Sequence, residues 1–212
     1  MTRIVIVGGV AGGMSAAARA RRLDEDAEII VLERGEHVSF ANCGLPYHVS
    51  GEIEEKERLL VQTPESLAAS LRLDVRPWHD VVALQPHSRQ LTVHTPAGEQ
   101  QIGYDALILA PGARANTPPI PGLDSPRVQT LRTVDDAVAM RERIDAGIST
   151  AVVLGAGFIG LETAEALAHR GVRTTVVEFI DQVLPPLAPE LATLVEEELS
   201  RCGVEVRTGV AA

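Results

Sequence analysis

Ala151-Val152-Val153-Leu154-Gly155-Ala156-Gly157-Phe158-Ile159-Gly160 is the stretch that decides the fold. A β-branched run of this kind suits a strand buried in a parallel sheet, and the glycines that follow have the G-x-G-x-x-G spacing of a dinucleotide-binding strand-turn-helix unit. The first glycine permits the tight turn, the second lets the backbone approach a pyrophosphate, and the third lets the helix pack close to the strand. The helix amino terminus then offers unpaired N–H groups to the anion. The pattern predicts a helix over 158–170, with Gly171 as its stop, and a strand over 174–177 that ends in Glu178. An acid at that place accepts hydrogen bonds from ribose hydroxyls and repels a 2′-phosphate, which favours NADH. Arg173 is near in sequence and leaves NADPH open.

The same grammar stands near the amino terminus. Arg3-Ile4-Val5-Ile6-Val7 reads as a buried strand, Gly8-Gly9-Val10-Ala11-Gly12-Gly13 as the turn, and residues 14–23 as a helix of small residues packed against the strand. Val10 replaces the middle glycine. A glycine-rich loop alone is often only a tight turn, but here a second strand, residues 28–32, ends in Glu33, twenty residues after Gly13, with Arg34 following. Strand, helix and distal acid in that order make Gly8, Val10, Ala11, Gly12 and Gly13 the lining of another dinucleotide site.

Between the two turns, residues 81–84, 90–94 and 100–102 form short apolar or β-rich runs separated by Pro86, Pro96 and Gly98, the pattern of a small antiparallel meander. The run Ala106-Leu107-Ile108-Leu109 stops at Ala110-Pro111-Gly112-Ala113, and Pro118, Pro119, Pro121 and Pro126 mark a linker. A helix is predicted from Thr133 to Ala146 and another over 189–201. The fold class is therefore α/β: two Rossmann-like units with parallel sheets, plus an antiparallel meander. Trp78, Tyr104 and Cys202 read as core or edge packing.

Charge and composition narrow the function. The 19 basic and 29 acidic residues leave a net charge of −10, which argues against a nucleic-acid partner or an anionic membrane surface. No apolar run approaches the roughly 18 residues that cross a bilayer, and no leader opens the chain, so a cytoplasmic protein is expected. The two cysteines, Cys43 and Cys202, have no metal-ligand spacing, and neither do the six histidines, so no metal site is expected.

Taken together, the two glycine turns, Glu33, the meander, the Ala110 to Ala113 strand end and Ser39-Phe40-Ala41-Asn42-Cys43-Gly44-Leu45-Pro46-Tyr47 resemble the pyridine nucleotide-disulfide oxidoreductases over essentially the whole chain. The resemblance implies an FAD-binding domain over 1–112, to which Ala110 and Gly112 also contribute, and an incomplete NAD(P)-binding domain over 113–212. It is closest to the single-cysteine branch, which holds coenzyme A-disulfide reductases, persulfide reductases, NADH oxidases and NADH peroxidases. Dithiol members have a second cysteine five residues after the first, where this chain has His48. The implied nucleophile is Cys43, a thiolate that attacks a disulfide and is restored by electrons from NADH or NADPH through the flavin. Without the resemblance, Cys43 reads more readily as a small buried core residue, as most free cysteines are.

For substrate, the resemblance assigns Ser15, Arg19, Arg22, Ser39 and Asn42 to coenzyme A. The first three are spaced by four and three residues on one helix face, which also fits a solvated basic surface. A basic position that the family often has is Leu71 here, followed by Arg72. Phe158 and Glu162 match positions near the nicotinamide, Ile159 is implied in binding the same cofactor, and Phe158 also fits plain packing of the helix on its sheet. Relatives continue into a dimer-forming domain, so the expectation is a fragment of a longer homodimeric enzyme that acts on a small thiol or disulfide. Two alternatives stay open: peroxide or oxygen reduction through a cysteine sulfenic acid, and a nucleotide-binding fragment without activity.

Overall fold

The computed structural model describes residues 1–211; residue 212, the last of the expected second domain, lies outside the described residues. The elements of the first half are β1 (Arg3–Val7), α1 (Ala11–Leu23), β2 (Glu28–Leu32), α2 (Leu45–Ser50), α3 (Pro64–Leu71), β3 (Asp74–Arg76), β4 (Asp80–Gln85), β5 (Gln90–Thr95), β6 (Gly98–Gly103) and β7 (Ala106–Leu109). Those of the second half are α4 (Val134–Asp145), β8 (Thr150–Leu154), α5 (Phe158–His169), β9 (Arg173–Val177), α6 (Pro189–Arg201) and β10 (Glu205–Arg207).

The chain divides into two compact units. One comprises Met1–Ala41 with Leu60–Arg114; the other comprises Asn42–Leu59 with the described residues from Ala115 onward. Residues 42–59 pack within the second of these units, although they precede most of the first in sequence. Sequence order hides this, because α2 buries Leu45, Pro46, His48, Val49 and Ser50, and its neighbours are α4 and α5.

In the first unit, a parallel sheet in the order β3-β2-β1-β7 is covered on both faces. Successive side chains of a strand point to opposite faces. Ile6, Ile29 and Val31 therefore meet Met14 and Ala17 of α1 and Leu67 of α3, while Val5, Ile30 and Leu32 meet Leu91, Val93 and Ile102 of the antiparallel sheet β4-β5-β6. Burying each such side chain contributes roughly 1.5–3 kcal/mol. The α3 helix starts at a Thr63 capping box, in which the Thr63 hydroxyl accepts from the Ser66 N–H and the Ser66 hydroxyl accepts from the Thr63 N–H.

One feature of α1 was not legible in the sequence. The reading singled out Arg19 and Arg22, but it is Arg21 that turns inward, with 8% exposure. Its guanidinium donates to the carbonyls of Leu71, Asp24, Glu25, Ala27 and Arg72 at 2.8–3.3 Å. This ties the end of α1 to the start of β2 and to the end of α3.

In the second unit, a parallel sheet has the order β10-β9-β8. Its core gathers Ala156, Leu161, Ala164, Val176, Ala192 and Leu199, so α5 and α6 lie over one face. On β8 the alternate residues Val152 and Leu154 are exposed. The predicted helices and strands of this half appear within a residue or two, and α4 begins at a Thr133 capping box closed by Asp136. Cys202 departs from its expected packing role: it caps the C-terminus of α6, is exposed, and its thiol lies 3.6 Å from a Glu198 carboxylate oxygen. Trp78, at φ +58°, is 51% exposed, while Tyr104 packs against the sheet.

Replacing Arg21 with Met leaves its carbonyl partners without their donor, and we expect a loss of about 2–4 kcal/mol, whereas Arg22→Met on the exposed face costs under about 0.5 kcal/mol. Urea unfolding followed by fluorescence of Trp78, which lies in the same unit, measures both.

Candidate functional site

Each unit carries a glycine turn of the same construction. Gly8 and Gly155, at φ +105° and +98°, start the two turns with a backbone conformation that L side chains rarely adopt. A β-carbon at Gly8 would stand 2.0 Å from the carbonyl oxygen of Ala110, because the β1–β7 pairing carries residue 110 directly beside the turn. At the third position, a β-carbon on Gly13 would lie 1.7 Å from the Gly8 oxygen, and one on Gly160 would lie 2.0 Å from the Gly155 oxygen. The helices thus begin as close to their strands as backbone permits.

The middle positions differ in residue but not in backbone. Val10 is the N-cap of α1 at φ −109°, and Gly157 is the N-cap of α5 at φ −79°, neither with the positive φ that favours glycine. Valine fits the first turn for that reason. The α1 helix starts at Ala11, three residues before the predicted start, since Gly12 and Gly13 belong to its first turn.

The two helix starts are bare of side-chain partners. Neither α1 nor α5 has a side-chain cap or an acidic residue in its first turn, unlike α3 and α4 with their capping boxes. A β-carbon at Gly155 or Gly157 would meet nothing within 4 Å, and at Gly12 only the Ala110 β-carbon at 3.5 Å. Free N–H groups beside open backbone form the arrangement that receives a pyrophosphate.

The distal acids are fixed in matching ways. One Glu33 oxygen accepts from the Gly9 N–H at 2.7 Å and the other from the Gly35 N–H at 2.9 Å. Likewise one Glu178 oxygen accepts from the Ala156 N–H at 2.7 Å and the other from the Ile180 N–H at 3.0 Å. Each oxygen retains a lone pair for a further donor. Gly9, which the sequence reading passed over, belongs to this arrangement: its N–H holds Glu33, and a β-carbon there would come within 2.9 Å of the Glu33 β-carbon. Arg34 follows Glu33 and is exposed, and Gly112 follows the β7 strand end.

Arg173 is not a neighbour of Glu178. It opens β9, whose five residues span roughly 16 Å at strand rise, and Glu178 follows the other end. Arg207, on the adjoining β10, turns to Glu205 instead. Phe158 is 64% exposed and, with Glu162, borders an apolar groove of about 360 Å³ between α5 and α6 that Leu184, Leu194 and Cys202 also line. Ile159 beside it is 55% exposed. The packing role that Phe158 also fitted in the sequence does not describe its place.

Cys43 sits in a single 3-10 turn, Asn42–Gly44, that runs directly into α2. Across residues 43–50 the exposed side chains are Cys43 and Tyr47, four apart; the others are buried. His48 is one of the buried ones, and its Nδ1–H donates to the Ile53 carbonyl at 2.8 Å. The Asn42 side-chain oxygen is buried without a hydrogen-bond partner, the kind of atom that a ligand or water satisfies.

The residues assigned to substrate divide between the two units. Ser15, Arg19 and Arg22 are all exposed on α1, and Ser39 belongs to the same unit. Ser39 sits at φ +47°, held there because its N–H donates to the Gly9 carbonyl and its carbonyl accepts from the Val61 N–H. Asn42 and Cys43 belong to the second unit. Among the described residues, no helix is long and apolar enough to cross a membrane.

Comparison with known proteins places this geometry in context. The chain is 34% identical over 210 residues to a coenzyme A disulfide reductase of Staphylococcus aureus (strain JH9), a match that covers 98% of this chain and 47% of that protein. Among solved structures, the reduced CoADR-RHD of Bacillus anthracis aligns with a TM-score of 0.95 at 43% identity, over 98% of this chain and 38% of that one. An NAD-dependent persulfide reductase from A. fulgidus aligns with a TM-score of 0.95 at 38% identity, over 99% and 39%. The chain thus spans about half the length of the curated relatives it matches. The profile of the pyridine nucleotide-disulphide oxidoreductases matches residues 2–212, and the chain belongs to that family.

Proposed function

We propose that this chain supplies the nucleotide-handling part of an FAD-dependent NAD(P)H:disulfide oxidoreductase that reduces coenzyme A disulfide or a coenzyme A persulfide through Cys43. The observation that carries the reading is the pair of uncapped helix starts, each beside an open glycine turn and an acid already fixed by backbone N–H groups. The open turns fit dinucleotides. Gly8, Val10, Ala11, Gly12, Gly13, Glu33, Arg34, Ala110 and Gly112 would hold FAD, and Gly155, Gly157, Phe158, Ile159, Gly160, Glu162 and Glu178 would hold NAD(P)H. When bound, FAD supplies the electron pair that the nicotinamide delivers as hydride.

The protein's own part begins at Cys43. Its thiolate attacks one sulfur of the substrate disulfide, the other sulfur leaves as a thiolate, and a mixed disulfide with Cys43 remains for two-electron reduction. The exposed side chain of Cys43 supports this role better than that of a core residue. Arg19 and Arg22 of α1, with Ser15, Ser39 and Asn42, bind the phosphates and polar groups of coenzyme A in this reading. Assembly of the whole protein as a homodimer, and its place among small-molecule enzymes, are parts of the same proposal. NADH is the preferred donor, since Glu178 faces no free cation from Arg173 or Arg207.

Three tests follow from these assignments. In the flavin-loaded full-length protein, Cys43→Ser abolishes NADH-driven reduction of coenzyme A disulfide while the flavin is still reduced by NADH under anaerobic conditions; undiminished disulfide turnover removes Cys43 from the mechanism. Gly157→Ala, where the β-carbon has open space, changes stability little yet weakens NADH binding, whereas Gly160→Ala overpacks against the Gly155 carbonyl and costs about 1–3 kcal/mol of stability. Thermal unfolding with and without NADH separates the two. Glu178→Gln removes the charge that meets a 2′-phosphate, and the ratio of kcat/KM for NADPH over NADH rises about tenfold. An unchanged ratio places the selectivity elsewhere.

A further inference from the structure

Cys43 has no anchoring hydrogen bond of its own, yet the segment that carries it is pinned from one side by two arginines of the same unit. Arg141, on α4, donates through a single nitrogen to the carbonyls of Ile53 at 3.0 Å, Glu54 at 2.9 Å and His48 at 3.4 Å. Arg170, which caps α5, donates to the Val49 carbonyl at 3.3 Å. Both arginines pair with one carboxylate, Asp145 at the end of α4: Arg170 through a short ion pair, and Arg141 at 3.9 Å. His48 and Val49 carry carbonyls of the last turn of α2, where the His48 carbonyl also accepts from the Gly51 N–H at 3.2 Å. The guanidinium groups meet those carbonyls and suit the negative end of the helix dipole. His48 adds its own bond to Ile53, so the same carbonyl is held from two sides.

We propose that Arg141 and Arg170, joined through Asp145, are positioning residues for Cys43: they fix the carbonyl end of α2, and with it the thiol at the other end of this rigid and almost wholly buried segment. The proposal rests on the reading of Cys43 as nucleophile. The α2 helix is six residues long and buries all of them but Tyr47, and a shift of about 1 Å in an attacking atom can cost about a hundredfold in rate. The arrangement also gives His48 a role that a second thiol would not have, since its ring belongs to the clamp.

The test uses the flavin-loaded full-length protein carrying Cys202→Ser, so that Cys43 is the single cysteine of residues 1–212. Arg141→Met, Arg141→Lys and Asp145→Asn are compared for three quantities: NADH-driven reduction of coenzyme A disulfide, NADH-driven reduction of ferricyanide, which takes electrons from flavin without the thiol, and the rate of Cys43 alkylation by iodoacetamide. In Arg141→Met we expect kcat with the disulfide to fall about tenfold, alkylation to slow about threefold, and ferricyanide turnover and KM for NADH to hold. Arg141→Lys, which keeps a charged donor, recovers most of both losses. A parallel fall of disulfide and ferricyanide turnover means general loss of structure and overturns the proposal, as does unchanged kcat and alkylation. If Cys43→Ser itself leaves disulfide turnover intact, the proposed function fails, and the alkylation rates still decide whether the clamp positions the thiol.

Discussion

The close approach of a helix to its own glycine turn is the constraint on which both units depend. With the Gly8 oxygen 1.7 Å from where a Gly13 β-carbon would be, no residue but glycine lets α1 start where it does, and Gly160 repeats the condition on α5. Both starts lack a side-chain cap, because Val10 and Gly157 at the N-cap positions carry no acceptor, so the N–H groups of the first turn stay free beside the end of the strand. The same approach puts the N–H of the residue after the first glycine, Gly9 or Ala156, within reach of the acid at the end of the next strand. Turn, helix start and carboxylate are therefore one construction. Each carboxylate is oriented by backbone N–H groups alone, and in the proposed function a ribose would meet acceptors already in place.

The two units build on this construction with different support. In the first, the sheet is closed on both faces by helices and by the meander, and Arg21 fastens the ends of three segments through their carbonyls. In the second, one face of the sheet is packed by α5 and α6, and the added load is the cysteine-bearing segment, docked on α4 and α5 through the arginines at 141 and 170. The thiol is thus carried by the body that holds the second glycine turn, although it precedes that turn by more than a hundred residues of chain.

Much of this was legible in the sequence, and the limits have physical causes. The strands, both turns, both acids, the meander and the Pro189–Arg201 helix follow from local patterns: β-branched runs, glycine spacing and proline breaks. The membership of α2 did not, because six residues give too short a period to reveal which face is buried or against what. Arg21 was passed over for Arg19 and Arg22, since three arginines within four positions of one helix look alike until the chain that follows supplies carbonyls to one of them. Arg141 and Arg170 gave no signal for the same reason: their partners are backbone oxygens, and any residue supplies those. That Glu33 and Glu178 each directly follow a strand was legible, by contrast, because their spacing from the glycines is part of the turn's own grammar.

Charge ties these observations to function. A chain with a net charge of −10 gains nothing from its overall field in gathering a polyanion, so any such ligand depends on local donors. Many arginines are already committed: Arg3 to Glu28, Arg76 to Asp74, Arg207 to Glu205, Arg170 to Asp145, and Arg21 and Arg141 to carbonyls. The Glu28 hydrogen bond raises the pKa of the first of these. Arg19 and Arg22 stand apart on α1, exposed, on either side of a residue fully engaged in structure. Two cations without a carboxylate or carbonyl partner among the described residues thus stand on the helix whose start is uncapped, and the proposed binding of coenzyme A depends on them.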